Sequence, residues 1–196
     1  HINAKEIGSR DLSPYNMIFL SSCQSDTVYE QWNKYRDRYA DWVALGGFLA
    51  IHGAWDCMAK GPPLPPGKEP KITKSYVSKG KVDESHPLMK GVGQPAEGNL
   101  LAHESYAATG DPNDIPLIVD EETQFVAYFV RPHGAGTITY GGLTFECYAP
   151  CGSCGFGDAG QVLLNEIELG SQACDLDGDG VGDAPCCLDD DGDGVC

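Results

Sequence analysis

Apolar and polar positions change period along the chain, and each period names an element. Residues 15–22, from Tyr15 to Ser22, carry a short apolar run that ends in small polar residues, which predicts a buried parallel strand delivering a loop at its carboxyl end. From Asp26 to Leu45, the positions Val28, Trp32, Tyr35, Tyr39, Trp42 and Val43 recur at spacings of three and four with charges between them. That is an amphipathic helix, stopped by Gly46 and Gly47. Phe48 to Gly53 follows at once as a second apolar strand, so strand, helix and strand form a βαβ unit with an expected right-handed connection.

Pro62, Pro63, Pro65, Pro66 and Pro70 exclude helix and central strand between 59 and 70 and predict a stiff surface loop. Beyond it, a strand is expected near 75–78 and a turn with a short helix near 87–92, whereas 100–106 fits no single period. Residues 116–120, 124–130 and 136–140 read as three strands, the last two joined through 131–136 as a hairpin. Asp158 to Leu169, with Val162, Leu163, Leu164 and Ile167, predicts a closing helix that docks on the sheet. The expected fold is α/β: a flavodoxin-like, doubly wound, mostly parallel sheet over residues 1–170, followed by a small irregular tail over 171–196.

Length fits this division, since 196 residues make one full domain and an appendage. Charge sharpens it. The chain has 13 Lys and Arg against 29 Asp and Glu, a net charge of −16, and half of that deficit lies in the eight Asp of residues 174–196. Such a field repels phosphate backbones, which excludes nucleic acid as a partner. No apolar run approaches the roughly 18 residues that a membrane-spanning helix needs. Nine cysteines, Cys23, Cys57, Cys147, Cys151 and Cys154 in the body and Cys174, Cys186, Cys187 and Cys196 in the tail, point to disulfides in an oxidising compartment. The odd count leaves a free thiol or an intermolecular bridge. Together with a start at His1 that has neither Met nor a signal region, this sets the expectation of a secreted, extracellular or cell-surface protein, or of a trimmed fragment.

The tail holds the most specific chemistry. Asp175, Asp177, Asp179 and Asp183, with the Val181 carbonyl, occupy positions 1, 3, 5, 9 and 7 of a loop whose sixth position is Gly180. Hard oxygen ligands at alternate positions around a tight glycine turn are a calcium pattern. Position 12 is Cys186 instead of the bidentate Glu, and no helix pattern flanks the loop, so it is not an EF-hand. A second copy starts at Asp189 with Asp191, Asp193 and Gly194. Alternation of Asp and Gly in two copies distinguishes this tail from a plain solvated acidic run. Asp-x-Asp-x-Asp-Gly with interspersed Cys resembles the thrombospondin type 3 repeat, which implies calcium as the cofactor.

The body has a resemblance of its own. Gly46, Gly47, Leu49, Ile51 and His52, then His86, Pro87 and Leu88 with Gly91 and Val92, His103 with Glu104, Gly134 and Gly136 before a strand, Gly142 to Glu146, and Leu164 with Asn165 stand in the order of the trehalose-utilisation-like (ThuA-like) branch of the class I glutamine-amidotransferase-like fold. That resemblance covers about residues 12–169. It implies a nucleophilic Cys at the sharp turn after the second strand, and His52 stands there instead. It also implies a strand and helix before Tyr15, where only a short segment exists: either that first unit is cut away or residues 1–6 are its remnant.

Two functional expectations follow. The first is a secreted calcium-binding structural or adhesive protein, non-catalytic, assembling as a homo-oligomer, filament or layer through its unfilled acidic loops, odd cysteine and missing strand. The second is a secreted hydrolase or carbohydrate-active enzyme that binds a glycan or small molecule, with His52, His103 and Glu146 as working groups at the strand ends. His52, His86, His103 and His133 are read first as hydrogen-bonded loop histidines and second as a converging ligand site. Cys23 is read first as buried or bridged and second as a reactive thiol. A local disulfide with a third thiol bound elsewhere fits Cys147, Cys151 and Cys154 better than zinc does.

Overall fold

A computed structural model describes residues 2–53, 61–73, 75–144 and 157–172. The expected βαβ unit is present as β1 (Met17–Leu20), α1 (Asp26–Ala44) and β2 (Phe48–His52), with β1 and β2 parallel. Seven further strands follow: β3 (Lys71–Thr73), β4 (Val77–Val82), β5 (Ala96–Ala102), β6 (Ser105–Ala108), β7 (Ile115–Asp120), β8 (Val126–His133) and β9 (Gly136–Gly141). The closing helix is α2 (Asp158–Gln172), and Pro87–Met89 forms a 3-10 turn.

All nine strands belong to one mixed sheet, ordered β1-β2-β9-β8-β7-β4-β5, with β6 attached to β8 and β3 to β6. The parallel pairing expected of a doubly wound fold holds for β1, β2 and β9. Every other pairing is antiparallel, which corrects the mostly parallel sheet. The reason is connection length. Five residues separate β7 from β8 and two separate β8 from β9, whereas a parallel return needs about a dozen.

Two cores form on the two faces. Leu49, Ile51, Phe129, Ile138 and Tyr140 pack beneath α1, where Trp32, Tyr39 and Val43 supply the buried stripe. Ala50, Tyr128 and Val130 pack with Ala159 and Val162 of α2 on the other face. The period-two alternation of β2 and β9 divides their side chains between these cores. In α2 the expected apolar stripe is displaced, because Leu164 and Ile167 are exposed while Asn165 and Glu166 are buried.

The proline segment is a second departure. It is a strap, pinned at five points instead of running free over the surface. Trp32 Nε1 donates to Leu64 O at 2.8 Å, Asn33 Nδ2 to Pro62 O at 3.2 Å and Leu64 N to Asn33 Oδ1 at 2.8 Å. Tyr140 Oη donates to Pro63 O at 2.9 Å and Arg131 Nη1 to Pro66 O at 2.7 Å. Prolines donate nothing from their backbone, yet their carbonyls remain strong acceptors.

The β8–β9 turn packs on the end of α1, with Ala135 N donating to Ala44 O and Thr137 N to Gly47 O. A Cβ at Gly136 would lie 2.1 Å from Val43 O and 2.3 Å from Gly47 O, both backbone atoms. Gly136→Ala is therefore expected to lower stability by about 2 kcal/mol or more, the upper part of the single-substitution range, measured by urea unfolding.

Candidate functional site

β2 and β9 end side by side, and their carboxyl ends are where an open α/β sheet presents ligands. Gly53 N donates to Gly141 O at 2.9 Å and His103 N to Gly142 O at 2.8 Å, so the end of β9 ties the end of β2 to the bend between β5 and β6. His52 and Glu104 are both fully buried there. His103 is half-buried and meets Tyr76 edge-on, with ring centroids 5.4 Å apart.

His52 falls on the α2 face of the sheet. Its Nε2 lies 3.0 and 3.1 Å from the two carboxylate oxygens of Glu166, which is also fully buried. Glu166 Oε1 accepts from Tyr128 Oη at 2.7 Å and from Thr139 Oγ1 at 2.5 Å. Three strands thus each offer one donor to a single carboxylate on α2. Burial and the adjacent carboxylate push the Tyr128 hydroxyl well above its ordinary pKa, which keeps it a donor. His52 packs between Phe19 and Tyr128, at centroid distances of 5.2 and 6.1 Å. A nucleophile needs an exposed, activated atom, and this imidazole instead holds a helix to a sheet.

Glu104 lies beneath the strap on the other side of the strand ends. Its Oε1 accepts from Tyr106 Oη at 2.5 Å, and among the described residues Oε2 has no hydrogen-bond partner. Two glycines make its room. A Cβ at Gly142 would stand 2.6 Å from Glu104 Cγ, and one at Gly53 would stand 3.1 Å from Glu104 Oε1 and 3.3 Å from Pro62 and Pro63. Burial raises the Glu104 carboxyl to about 8, with the Tyr106 hydrogen bond acting in the opposite direction. Burial also raises Tyr106 and Tyr140 well above the usual phenol value. The result is an acid that is neutral at pH 7 and able to donate.

The remaining histidines do not converge with these. His86 accepts from Leu88 N at 3.3 Å and caps the 3-10 turn, where burial lowers its pKa. His133 ends β8 in the turn at the amino end of β2, the opposite end from His52. The second reading, four converging histidines, is corrected: His52 and His103 both stand at strand ends, but His52 turns to Glu166 and His103 to Tyr76. Cys23 is disulfide-bonded, which settles it as bridged. Glu146 lies outside the described residues, as do Asp175, Asp177, Asp179, Val181, Asp183, Asp189, Asp191 and Asp193 and the other eight cysteines. No group of three or more possible metal ligands occurs among the described residues.

Sequence reasoning missed Glu166 and the tyrosines around both acids. Glu166 had a legible signal, because it lies four residues beyond Val162 and seven beyond Ala159 and so shares their stripe.

No protein-family model and no curated protein matches the chain. Among solved structures its fold is similar to the cytoplasmic protein STM3548 of Salmonella typhimurium, at 11% identity, over 85% of this chain and 78% of that one, with a TM-score of 0.50. It is also similar to the cytoplasmic protein STM1381 of Salmonella typhimurium LT2, at 12% identity, over 76% and 71%, with a TM-score of 0.46. A β-galactosidase from Rahnella sp. R3 matches at 16% identity, over 85% of this chain and 24% of that one, with a TM-score of 0.47. Identity at this level speaks to fold and leaves function open. STM3548 is described as cytoplasmic, which points away from secretion, and the expected extracellular or cell-surface location is withdrawn. Cysteine frequency carries a compartment only by association.

Two outcomes follow from the buried acids. Glu166→Ala leaves the His52, Tyr128 and Thr139 donors without their acceptor, and is expected to cost about 3–5 kcal/mol of unfolding free energy in urea titrations. The folded protein holds the Glu104 proton from its ordinary 4.5 up to about 8, so the associated stability is complete below pH 4.5 and is lost as pH rises to 8. Urea unfolding at a series of pH values should show this decline, and Glu104→Gln should flatten it.

Proposed function

We propose that this chain is a non-catalytic, calcium-binding assembly unit whose body is a ThuA-like, amidotransferase-like domain and whose tail is a thrombospondin type 3-like module. The observation that carries the non-catalytic part is the state of His52: at the position of the amidotransferase nucleophile, it is fully buried with Nε2 against Glu166. On the opposite face of the sheet the strap is fastened over Glu104 by bonds to α1, β8 and β9. Support for the ThuA-like assignment comes from the order of the matching residues and from the fold likeness to STM3548. Calcium is supported by the two Asp-Gly loops, whose carboxylates repel one another unless cations bind between them. Self-association into an oligomer, filament or layer is supported by the odd number of cysteines.

Light scattering under non-reducing conditions tests this reading. Particles that are large with calcium and shrink on chelation are expected, with Asp177→Asn and Asp191→Asn weakening the calcium effect. One monomeric size in both conditions refutes it.

A second reading, a hydrolase or carbohydrate-active enzyme, is favoured by Glu104 alone. A carboxyl held neutral up to about pH 8 at strand ends has the protonation state that a general acid requires. Turnover of chromogenic esters or glycosides that disappears in Glu104→Gln would establish it over the first.

A further inference from the structure

The strap, residues 61–67, is held differently from the strands around it. Each of its five bonds uses a side chain, from Trp32, Asn33, Tyr140 or Arg131, and no backbone-to-backbone hydrogen bond reaches it among the described residues. A segment without a ladder opens at lower cost than a strand does. Both of its ends are glycines in the left-handed region, Gly61 at φ 103° and Gly67 at φ 79°. Among the described residues a Cβ at Gly61 would meet nothing within 4 Å, and one at Gly67 only Arg131 Nη1 at 3.8 Å, so both ends have room to turn. Between them lie four buried prolines, Pro62, Pro63, Pro65 and Pro66.

What the strap covers is Glu104. Gly53 measures how near the two lie, since a Cβ there would stand 3.1 Å from Glu104 Oε1 and 3.3 Å from both Pro62 and Pro63. With the strap closed, an ionised Glu104 would have one donor, Tyr106 Oη at 2.5 Å, and no cation among the described residues, which a fully buried carboxylate does not tolerate. The other groups facing this spot do not relieve it. Tyr106 of β6 and Tyr140 of β9 stay neutral, because burial holds both far above the usual phenol value. β2 and the strap add Gly53, Pro62 and Pro63, which carry no titratable group. From α1, Tyr29 and Arg36 act on Tyr140, and Arg36 is bound to Glu69 at 2.6 Å. At the far end of the strap Arg131 is paired with Asp114, and His103 turns to Tyr76.

We propose that the strap is a proton-operated latch: it closes over Glu104 only while that carboxyl is neutral, and lifting it between Gly61 and Gly67 uncovers the strand-end acid and releases one proton to solvent. The open acid ionises from its ordinary 4.5 and the closed one only near 8, so opening is coupled to proton release between these values. The open fraction therefore rises about tenfold per pH unit across that range and levels off above it. Below the lower value both states hold the proton, and closure is at its strongest. Strap release needs neither calcium nor turnover, so its failure is distinguishable from failure of the calcium-linked assembly.

The measurement is hydrogen exchange of the full chain in chelator, followed by NMR at the Trp32 indole N–H and the Leu64 amide, which both take part in the strap contact. Protection is expressed against the unstructured rate at each pH. At both probes it is expected to fall about tenfold per pH unit between about 5 and 8 and to level off above, and to be unaffected by urea below the unfolding range. Amides of β2 are expected to be more protected and to lose protection with urea, because they open only with the whole sheet. Glu104→Gln should abolish the pH slope at the strap. Asn33→Ala, which deletes two of the five fasteners, should lower Trp32 protection at every pH and keep the slope, separating the fasteners from the group that carries the proton. A strap without a pH slope, a slope that persists in Glu104→Gln, or strap and β2 probes that coincide and respond alike to urea overturns the latch. If Glu104→Gln does not fold, the slope and urea response of the unaltered chain decide.

Discussion

The Glu166 carboxylate is fully buried between α2 and the sheet, and such a charge is tolerable only where its oxygens are saturated. His52 from β2, Tyr128 from β8 and Thr139 from β9 meet that requirement together. Three strands and a helix are therefore registered against one another by one group, and α2 has a single rotation that satisfies it. This explains why Leu164 and Ile167 stay exposed: the helix turns its polar residues Asn165 and Glu166 inward and follows hydrogen bonding at the expense of apolar burial. Asn165 adds two bonds in the same direction, from Nδ2 to Leu88 O and Lys90 O, each at 2.8 Å.

On the other face the same logic is applied to a segment without helix or strand. Arg131, nearly buried in β8, binds Asp114 through Nε at 2.6 Å and Nη2 at 2.9 Å, and turns Nη1 to Pro66 O. A fork of this kind sets direction as well as charge. With the Trp32, Asn33 and Tyr140 bonds it holds the prolines over Glu104, and the low dielectric beneath them keeps that acid protonated. The strand ends thus hold two buried acids in opposite surroundings. Glu166 is saturated by donors, and Glu104 is deprived of water and given one.

The sheet is unequally finished. Its antiparallel side is built from short links that return the chain beside itself, whereas its parallel side stops at β1, with an uncharged trough beyond. A parallel neighbour cannot be added by a tight turn, so β1 meets β2 through α1, and β2 meets β9 only after the antiparallel side has been laid down.

Much of the frame was legible in the chain. The three-and-four spacing of Val28, Trp32, Tyr35 and Tyr39 determined α1, the apolar runs determined β1 and β2, and the Gly-flanked turn determined the β8–β9 hairpin, because each signal is local and matches a backbone period. The sequence likewise determined the acidic charge of the tail and its alternation of Asp with Gly. The tertiary structure decided what has no period: that the proline segment is a fastened strap, that β4, β5, β7 and β8 pair antiparallel, and that His52 is sealed against Glu166 across 114 residues of sequence. A buried polar contact depends on partners from several strands arriving at one point. Spacing along one chain segment records the element that carries each group, and only packing decides which groups meet.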